Sequence, residues 1–310
     1  MNPANGTAPV TQFLLLGFPS LGRQSRELLF ALLSLAYAAT VVGNFCIVWA
    51  VLRDPRLQRL PMYILLGNFS CLEICFVTST VPRMLCDLLR PGLPISFHAC
   101  FLQFYFFFSL GTTDSFFLAA MALDRSLAIC QPLRYPILMS PQLCWTMVAS
   151  CWLMGFLWFI APISLISRLS FCSPYTLDHF VCDPVPLLAA SCSPDHWAGQ
   201  FCSNMASLML FATFLFILAS YGLIIRAVLR LPTGAGRHKA FSTCTTHLTI
   251  VGLYYGALMV NYVIPTASGG SGKVVTLLYM LWTPLLNPLI YSLRNKEMKE
   301  ALRRTLLGKQ

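Results

Sequence analysis

Seven long apolar stretches follow one another along the chain, and each contains at most one acidic side chain. A helix needs roughly 20 apolar residues to cross a bilayer. The stretches are too long and continuous for the ~10-residue alternating strands of a membrane β-barrel. The pattern therefore predicts an all-α membrane protein with a seven-transmembrane helix bundle. The predicted spans are residues 28–52, 60–82, 99–123, 143–167, 197–225, 248–264 and 274–293.

The composition excludes two other classes of protein. Hydrophobic residue types make up 57% of the 310 residues and charged types only 10%, whereas a soluble domain carries about 25% charged residues. So few charges cannot cover the surface of a water-soluble globule of this length. A disordered chain is polar and rich in charge, so disorder is excluded as well. The outer surface of the protein is expected to face membrane lipid.

Most of the chain's 21 Lys and Arg residues lie in the connections after the first, third and fifth spans and in the C-terminal tail. Basic loops stay in the cytoplasm, so the N-terminus is predicted to be extracellular. The predicted layout is an extracellular tail (1–26), the seven-transmembrane bundle (27–294), and a cytoplasmic amphipathic helix and tail (295–310). Topology and attraction to membrane lipid account for the basic charge, and no nucleic-acid partner is expected. Asn5-Gly6-Thr7 is a glycosylation acceptor on the predicted outer side.

Four cysteines are predicted to lie on the outer, oxidising side of the membrane. Cys172, Cys182 and Cys192 fall in the longest connection, and Cys100 stands at the outer start of the third span. Four such cysteines predict two disulfides, for which the spacing allows three pairings.

Five motifs occur along the chain in a specific order. They are Gly43-Asn44, Pro61-Met62-Tyr63, MALDRSLAIC at residues 121–130, KAFSTCTTHL at residues 239–248 and PLLNPLIYSLRN at residues 284–295. Together, and in this order, they resemble the olfactory (odorant) receptors of the class II, tetrapod-type branch, which are rhodopsin-like (class A) G protein-coupled receptors. The similarity extends over about residues 13–302.

The resemblance implies a function as well as a fold. Such a receptor binds a small volatile odorant and activates a heterotrimeric G protein of the stimulatory, olfactory type, which raises cyclic AMP. It implies sensory transduction at the plasma membrane, in the cilia of sensory neurons, and no enzymatic activity. It also implies the pairings Cys100–Cys182 and Cys172–Cys192.

The chain departs from the family at the inner end of the third span. Leu123 and Ser126 stand where the family usually has tyrosines, while Arg125 is kept. Coupling to the G protein is therefore expected, with an altered basal activity. Arg125 is expected to be held by Asp124 at rest and freed toward the G protein on activation. The alternative is an arginine that only snorkels to the membrane interface.

Three other elements belong to the predicted switch. Asn287-Pro288 gives the seventh span a weak point, because proline removes a backbone hydrogen bond and bends the helix. Tyr221 is expected to meet Tyr291 through water when the bundle opens; the alternative is two tyrosines of an interfacial belt. Lys239, in the third inner loop, is expected at the G protein surface.

Glu73 and Asp114 are the only acids inside the predicted spans. Asp114 lies three helical turns before Arg125 and shares its face of the third span. Asn44 and Asn287 are expected at a similar depth, and the four oxygen-bearing groups suit a hydrated Na+ or a shared proton. The resemblance implies a sodium ion that favours the resting state. The alternative is two protonated acids hydrogen-bonded to each other or to serines. No other cofactor is expected.

The ligand pocket is predicted in the outer half of the bundle, among the third, fifth and sixth spans. Its aromatic and methionine-rich lining favours small, neutral, apolar molecules, with Thr112 or Tyr262 orienting one polar group. The resemblance places Phe107 where amine receptors carry an aspartate, so an amine salt bridge is not expected. The alternative for each residue is ordinary helix packing. The predicted lining is Phe104, Phe107, Phe108, Thr112, Met205, Met209, Tyr255, Leu258, Met259 and Tyr262.

Two other classes of protein fit the sequence less well. The acids Glu73 and Asp114 superficially resemble the pair of an intramembrane aspartyl protease, but the second acid lacks the glycine framework that such enzymes need. The segment 269–273 lacks the first glycine and the final Ser/Thr of a phosphate loop. A transporter would show an inverted repeat or paired broken helices, and neither is visible.

Overall fold

The computed structural model describes residues 10–192, 196–230, 234–262, 270–294 and 296–307. Within these ranges the chain is mainly helical, with a short 3-10 helix at Leu57–Arg59. The helices are α1 (Arg23–Arg53), α2 (Pro61–Leu89), α3 (Phe97–Cys130), α4 (Tyr135–Leu138), α5 (Pro141–Trp158), α6 (Ile160–Ser167), α7 (Pro184–Ala189), α8 (His196–Leu229), α9 (Gly234–Tyr262), α10 (Gly270–Arg294) and α11 (Lys296–Leu307).

Seven helical segments make up the bundle. Among the described residues α1, α2, α3, the α5–α6 pair and α8 are each long and apolar enough to cross a membrane. The helices α9 and α10, of 29 and 25 residues, are the sixth and seventh members. α3 lies at the centre and packs against α2, α5, α8 and α9. α1 stands at the edge, and its exposed leucines and aromatic residues face lipid.

The fourth span is broken, although the sequence predicted one continuous helix over residues 143–167. α5 ends at Trp158, and α6 begins at Ile160. Pro162 has no backbone N–H, so it cannot donate to the carbonyl one turn earlier, and its ring disfavours a regular helix there. Phe159 occupies the break with a φ of −96° and a ψ of 4°, and its side chain is fully buried.

Two glycines let helices approach closely. A Cβ atom added at Gly155 of α5 would lie 1.9 Å from Thr113 Oγ1 and 3.0 Å from the Thr113 Cα atom in α3. A Cβ added at Gly43 of α1 would lie 3.0 Å from two ring carbons of Pro288 in α10. Residues without a side chain at such crossings allow tight packing in a membrane, where helices associate through close contacts.

A small sheet and two disulfides cap the end of the bundle that is predicted to be extracellular and is called the outer end below. β1 (Gln12–Leu15) lies between β2 (Pro94–Ser96), to which it is antiparallel, and β3 (Thr176–Leu177), to which it is parallel. The structure contains the disulfides Cys100–Cys182 and Cys172–Cys192. The loop between α6 and α8 is thereby tied to the start of α3, and the N-terminal segment is tied to both.

Candidate functional site

Two adjacent cavities lie in the outer half of the bundle. The outer cavity, of about 730 Å³, opens beneath the loop that holds α7. The inner cavity, of about 40 Å³, lies deeper among α2, α3, α8, α9 and α10, and Phe108 and Ala206 border both. The inner cavity is lined by Phe76, Phe107, Phe108, Gly111, Thr112, Phe159, Ala206, Met209, Leu210, Tyr254, Leu258 and Tyr279.

The polar groups around the inner cavity already have partners within the protein. The Thr112 hydroxyl donates to the Phe108 carbonyl at 2.7 Å. The Tyr254 hydroxyl donates to the Gly111 carbonyl at 2.5 Å and lies 3.0 Å from the Ser115 hydroxyl. What remains at the wall is mainly aromatic and aliphatic surface, which favours a small apolar ligand with at most one hydrogen-bonding group.

Half of the predicted ligand-contact residues line this inner cavity. Five do so, namely Phe107, Phe108, Thr112, Met209 and Leu258. The side chain of Tyr262, the last residue of α9, lies outside the described residues.

Four predicted contacts line neither of these two cavities, and their role as ligand contacts stays a prediction. Phe104 is completely buried one turn further out, with its ring edge against Phe108 at 5.0 Å. The Tyr255 hydroxyl donates to Thr213 Oγ1 at 2.8 Å, which turns it toward α8. Met205 and Met259 are half-buried. Sequence steps of three and four residues identify the residues on one face of a helix. They do not show how far along the helix a cavity extends.

Several lining residues were not predicted from the sequence. Phe76 of α2 stacks on Phe107 at 5.2 Å, and Tyr279 of α10 lies 6.2 Å from the same ring. Phe159 reaches the cavity because the helix breaks there. The proline three residues after Phe159 was the one sequence signal that could have suggested this position.

An ion pair closes one side of the outer cavity. Lys273, at the start of α10, places its ammonium 2.5 Å from Asp178 Oδ1 and 2.9 Å from the Gly17 carbonyl. The lysine is nearly buried, whereas the aspartate side chain is 62% exposed. The pair joins α10, the outer loop and the N-terminal segment, and it neutralises the lysine charge at the cavity wall.

Two further titratable groups of this wall, His179 and Asp183, are also held by the loop. His179 Nδ1 accepts a hydrogen bond from the Val181 backbone N–H at 3.2 Å, and burial lowers the pKa of the imidazole. Asp183 accepts from the Val185 backbone N–H at 3.0 Å and caps α7. Among these groups the Lys273 charge is paired, and His179 and Asp183 each accept a hydrogen bond from the loop backbone.

The four side chains proposed for the ion site, Asn44, Glu73, Asp114 and Asn287, are all buried within the bundle. The Asn287 amide donates to the Glu73 carboxylate, and the Asn44 amide donates to the Pro284 carbonyl at 2.9 Å. Three buried oxygens have no hydrogen-bond partner among the described residues, namely Asn44 Oδ1, Asp114 Oδ1 and Asn287 Oδ1. A buried hydrogen-bond acceptor without a partner destabilises the fold. A hard cation such as Na+ is bound by oxygen ligands of this kind. The residues therefore fit Na+.

At the inner end, α3 is held by hydrogen bonds that differ from the predicted ion pair. Asp124 Oδ1 accepts from the Tyr135 hydroxyl of α4 at 2.6 Å. Among the described residues no direct ion pair within 4.0 Å joins Asp124 to Arg125. The Arg125 charge nevertheless lies close enough to attract the Asp124 carboxylate, and the role of this pair in the switch stays a prediction.

His247 connects three helices near Arg125. Its Nε2–H donates to the Leu118 carbonyl at 3.1 Å, and its Nδ1 accepts from the Tyr221 hydroxyl at 2.8 Å. The imidazole is completely buried. The link joins α3, α8 and α9 in this packing. The side chains of Lys239 and Tyr291 lie outside the described residues, as does Asn5.

Comparison with known proteins identifies the family. Residues 33–309 match the family model described as olfactory receptor. The chain belongs to the olfactory receptor family. It is 53% identical to human olfactory receptor 11G2 over 98% of its own length and 88% of that protein. It is also 53% identical to human olfactory receptor 11H6, over 99% of this chain and 93% of the relative, and 43% identical to human olfactory receptor 6S1, over 98% and 92%.

Membership of this family confirms four predictions. The fold is the seven-transmembrane bundle of a class A receptor. The chain is an odorant receptor that acts by G protein coupling, the general mechanism of its class. It is not an enzyme, so the protease interpretation falls, and it is a multi-pass membrane protein.

The last helix of this olfactory receptor is fastened to its first inner loop. Arg304 of α11 forms an ion pair with Asp54 at 2.8 Å, and Glu297 accepts from the Tyr63 hydroxyl at 2.8 Å. Met298 and Ala301 of the same helix are completely buried. The helix therefore packs across the ends of α1 and α2 that the first connecting loop joins.

Proposed function

We propose that this receptor binds small, neutral, mostly apolar volatile molecules in the outer half of its bundle and activates a stimulatory, olfactory-type G protein, which raises cyclic AMP. The proposed ligand class rests on the inner cavity, which is lined mainly by aromatic and aliphatic side chains. The Thr112 and Tyr254 hydroxyls at its wall already donate hydrogen bonds within the protein. The paired charges at the rim, Lys273 with Asp178, support a neutral rather than an ionic ligand.

A chain of contacts leads from the cavity to the inner surface. Tyr254 and Leu258 of α9 border the cavity, and the neighbouring Tyr255 is bonded to Thr213 of α8. Further along α9, His247 is bonded to α8 and α3. A ligand that prefers a different position of α9 shifts the equilibrium by the difference between its affinities for the two packings.

The opened packing frees the residues of the predicted switch. The inner end of α9 swings outward and breaks the bonds of His247. Arg125 and Lys239 then meet the G protein, Asn287-Pro288 serves as the hinge of α10, and Tyr221 becomes available to Tyr291 through water. The contact of Pro288 with Gly43 supports a hinge that moves against α1.

Na+ in the polar cluster would oppose this opening. We propose that Glu73 and Asp114 supply the negative charge for the ion and that Asn44 and Asn287 supply further oxygens; when bound, the ion would stabilise the resting packing. The unpartnered oxygens of three of these residues support the proposal. Asp114→Asn is expected to remove the sodium dependence of basal cyclic AMP, and a parent receptor insensitive to sodium would contradict the site.

The proposed location is the plasma membrane, with the N-terminus extracellular, Asn5 glycosylated, and the cilia of sensory neurons as the cellular site. The concentration of Lys and Arg on the side of α11 supports this orientation. Antibody access to an N-terminal tag on intact cells, and not to a C-terminal tag, is the expected result.

The experiment that tests the proposed function is a cyclic AMP assay in cells that express the receptor with an olfactory-type G protein, against a panel of small volatile compounds. At least one neutral apolar compound is expected to raise cyclic AMP, and Arg125→Ala is expected to abolish the response at equal surface expression. Restoring both tyrosines, with Leu123→Tyr and Ser126→Tyr, is expected to increase coupling. A response that survives Arg125→Ala would contradict the switch, and ligands that are all charged would contradict the pocket.

A further inference from the structure

Three side chains form a ladder on the lipid-facing side of α1, at the end of the helix nearest α11. The rings of Phe45 and Trp49 stack at 6.1 Å with an angle of 23° between their planes. The guanidinium carbon of Arg53 lies 4.4 Å from the centre of the Trp49 ring. All three side chains are exposed on the bundle surface, so the ladder has no protein element covering it within the described residues.

The guanidinium of Arg53 is directed back toward the membrane. Side chains on an α-helix lean toward its N-terminus, and the contact with Trp49 places the charge one turn closer to the apolar layer than the Arg53 backbone. Among the described residues no carboxylate lies within 4.0 Å of it. A cation at this depth without a counter-ion is costly, and the face of one indole offsets only part of that cost.

The nearest acid along the chain is already engaged. Asp54 follows Arg53 directly, but its Oδ2 is paired with Arg304 at 2.8 Å, and its Oδ1 accepts from the Arg56 backbone N–H at 3.0 Å. Arg56 and Arg59 are exposed in the same loop. The end of α1 therefore presents a net positive surface to the lipid headgroups beside it.

We propose that the Phe45–Trp49–Arg53 ladder is a binding site for one anionic glycerophospholipid of the leaflet on the α11 side. The Arg53 guanidinium binds the headgroup phosphate, for which its planar pair of N–H donors is suited. The two aromatic rings pack along the glycerol and the upper acyl chain. The proposal is independent of the odorant, because none of these residues borders either cavity.

A diffuse attraction of lipids to the three arginines is the competing explanation. In that case each arginine would contribute about equally, and Trp49 would not matter. A specific lipid site would instead depend on Arg53, whose guanidinium lies over the Trp49 ring. Arg59 is the matched control, because it is an exposed arginine of the same loop without a cation–π contact in the described part of the chain.

The test is native mass spectrometry of the purified full-length receptor, titrated with phosphatidylserine and, separately, with phosphatidylcholine of the same acyl chains. The variants are Arg53→Gln, Arg53→Lys, Trp49→Leu and Arg59→Gln, and a melting curve of each sample establishes that it is folded. One saturable phosphatidylserine site is expected in the parent receptor. Arg53→Gln is expected to weaken it about fivefold and Trp49→Leu about two- to fivefold, while Arg59→Gln changes it less than about twofold.

Arg53→Lys keeps the charge but loses the planar donor pair, so an intermediate loss is expected. Equal losses for Arg53→Gln and Arg59→Gln would overturn the proposal in favour of diffuse attraction. Phosphatidylcholine that binds as tightly as phosphatidylserine would overturn the requirement for an anionic lipid. Unchanged binding in both Arg53→Gln and Trp49→Leu would show that the ladder is not the site.

Discussion

Gly155→Ala is expected to damage the receptor through a single methyl group. Gly155 of α5 lies against Thr113 of α3, and the added Cβ would be 1.9 Å from Thr113 Oγ1, 2.9 Å from its Cβ and 3.0 Å from its Cα. Carbon atoms in contact normally stay about 3.5–4.0 Å apart. The Thr113 hydroxyl is held by the Ser109 carbonyl at 2.8 Å, and a backbone Cα cannot rotate away. The two helices must therefore separate by about 0.5–1 Å.

The cost of this separation follows from overpacking in other cores, where an added methylene typically costs about 1–3 kcal/mol. For a chain of this size each kcal/mol lowers the melting temperature by roughly 1–2 °C, so the expected fall is about 1–6 °C. Function should suffer too, because Thr113 stands between Thr112 at the inner cavity and Asp114 in the polar cluster. The odorant concentration for half-maximal cyclic AMP is expected to rise.

The assays are a melting curve of the purified receptor and a cyclic AMP dose–response curve normalised to surface expression. Gly252→Ala and Gly256→Ala are the controls, because a Cβ at either position of α9 has nothing within 4 Å among the described residues. Combining Gly155→Ala with Thr113→Ala removes the closest atom and is expected to restore part of the melting temperature. A Gly155→Ala receptor that melts and signals like the controls would refute the packing argument.

Three further predictions concern the pocket, the inner link and pH. Phe108→Ala removes the ring that borders both cavities and should improve the potency of bulky odorants relative to small ones about tenfold; unchanged potency ratios across an odorant series would contradict this. His247→Phe leaves the Tyr221 hydroxyl without its imidazole partner, a penalty of about 1–3 kcal/mol on the resting packing, and should raise basal cyclic AMP several-fold, whereas unchanged basal activity would remove His247 from the switch. Burial lowers the pKa of His179 from its ordinary value of 6.5, so the folded protein favours the neutral imidazole. Protonation therefore destabilises the fold, and the melting temperature should fall as the pH drops below 6.5. His179→Gln should flatten that pH profile, and a variant whose profile is as steep as that of the parent receptor would be the contrary finding.

Span count and chemistry were accessible from the sequence because they depend on local pattern. Each apolar run is long enough to cross a bilayer by itself, and the positions of Phe107, Phe108 and Thr112 follow from helical periodicity on α3. The two acids of the proposed ion site, Glu73 and Asp114, stand out because acids are rare in apolar spans. These features need no knowledge of how distant helices meet.

The rest of the site depends on tertiary contacts. Phe76 and Tyr279 reach the cavity from α2 and α10. Nothing in the sequence around either residue shows that it lies level with the cavity-lining residues of α3. The Tyr135 hydroxyl donates a hydrogen bond to Asp124 because the loop after α3 folds back on that helix. The sequence alone suggested only an ion pair between Asp124 and the adjacent Arg125. The strand β1 forms in the predicted N-terminal tail because two distant segments supply its partners.

The central claim is that an odorant in the outer half of the bundle and a G protein at its inner end favour the same packing. It is tested by measuring odorant affinity for the purified receptor in lipid nanodiscs, with and without nucleotide-free stimulatory G protein. Linkage requires that each ligand strengthen the other's binding by the same factor, so the account predicts an affinity gain of about 5- to 150-fold that guanine nucleotide abolishes. The gain should also be lost in Arg125→Ala while odorant binding itself persists. An odorant affinity that does not change when the G protein binds would contradict the account.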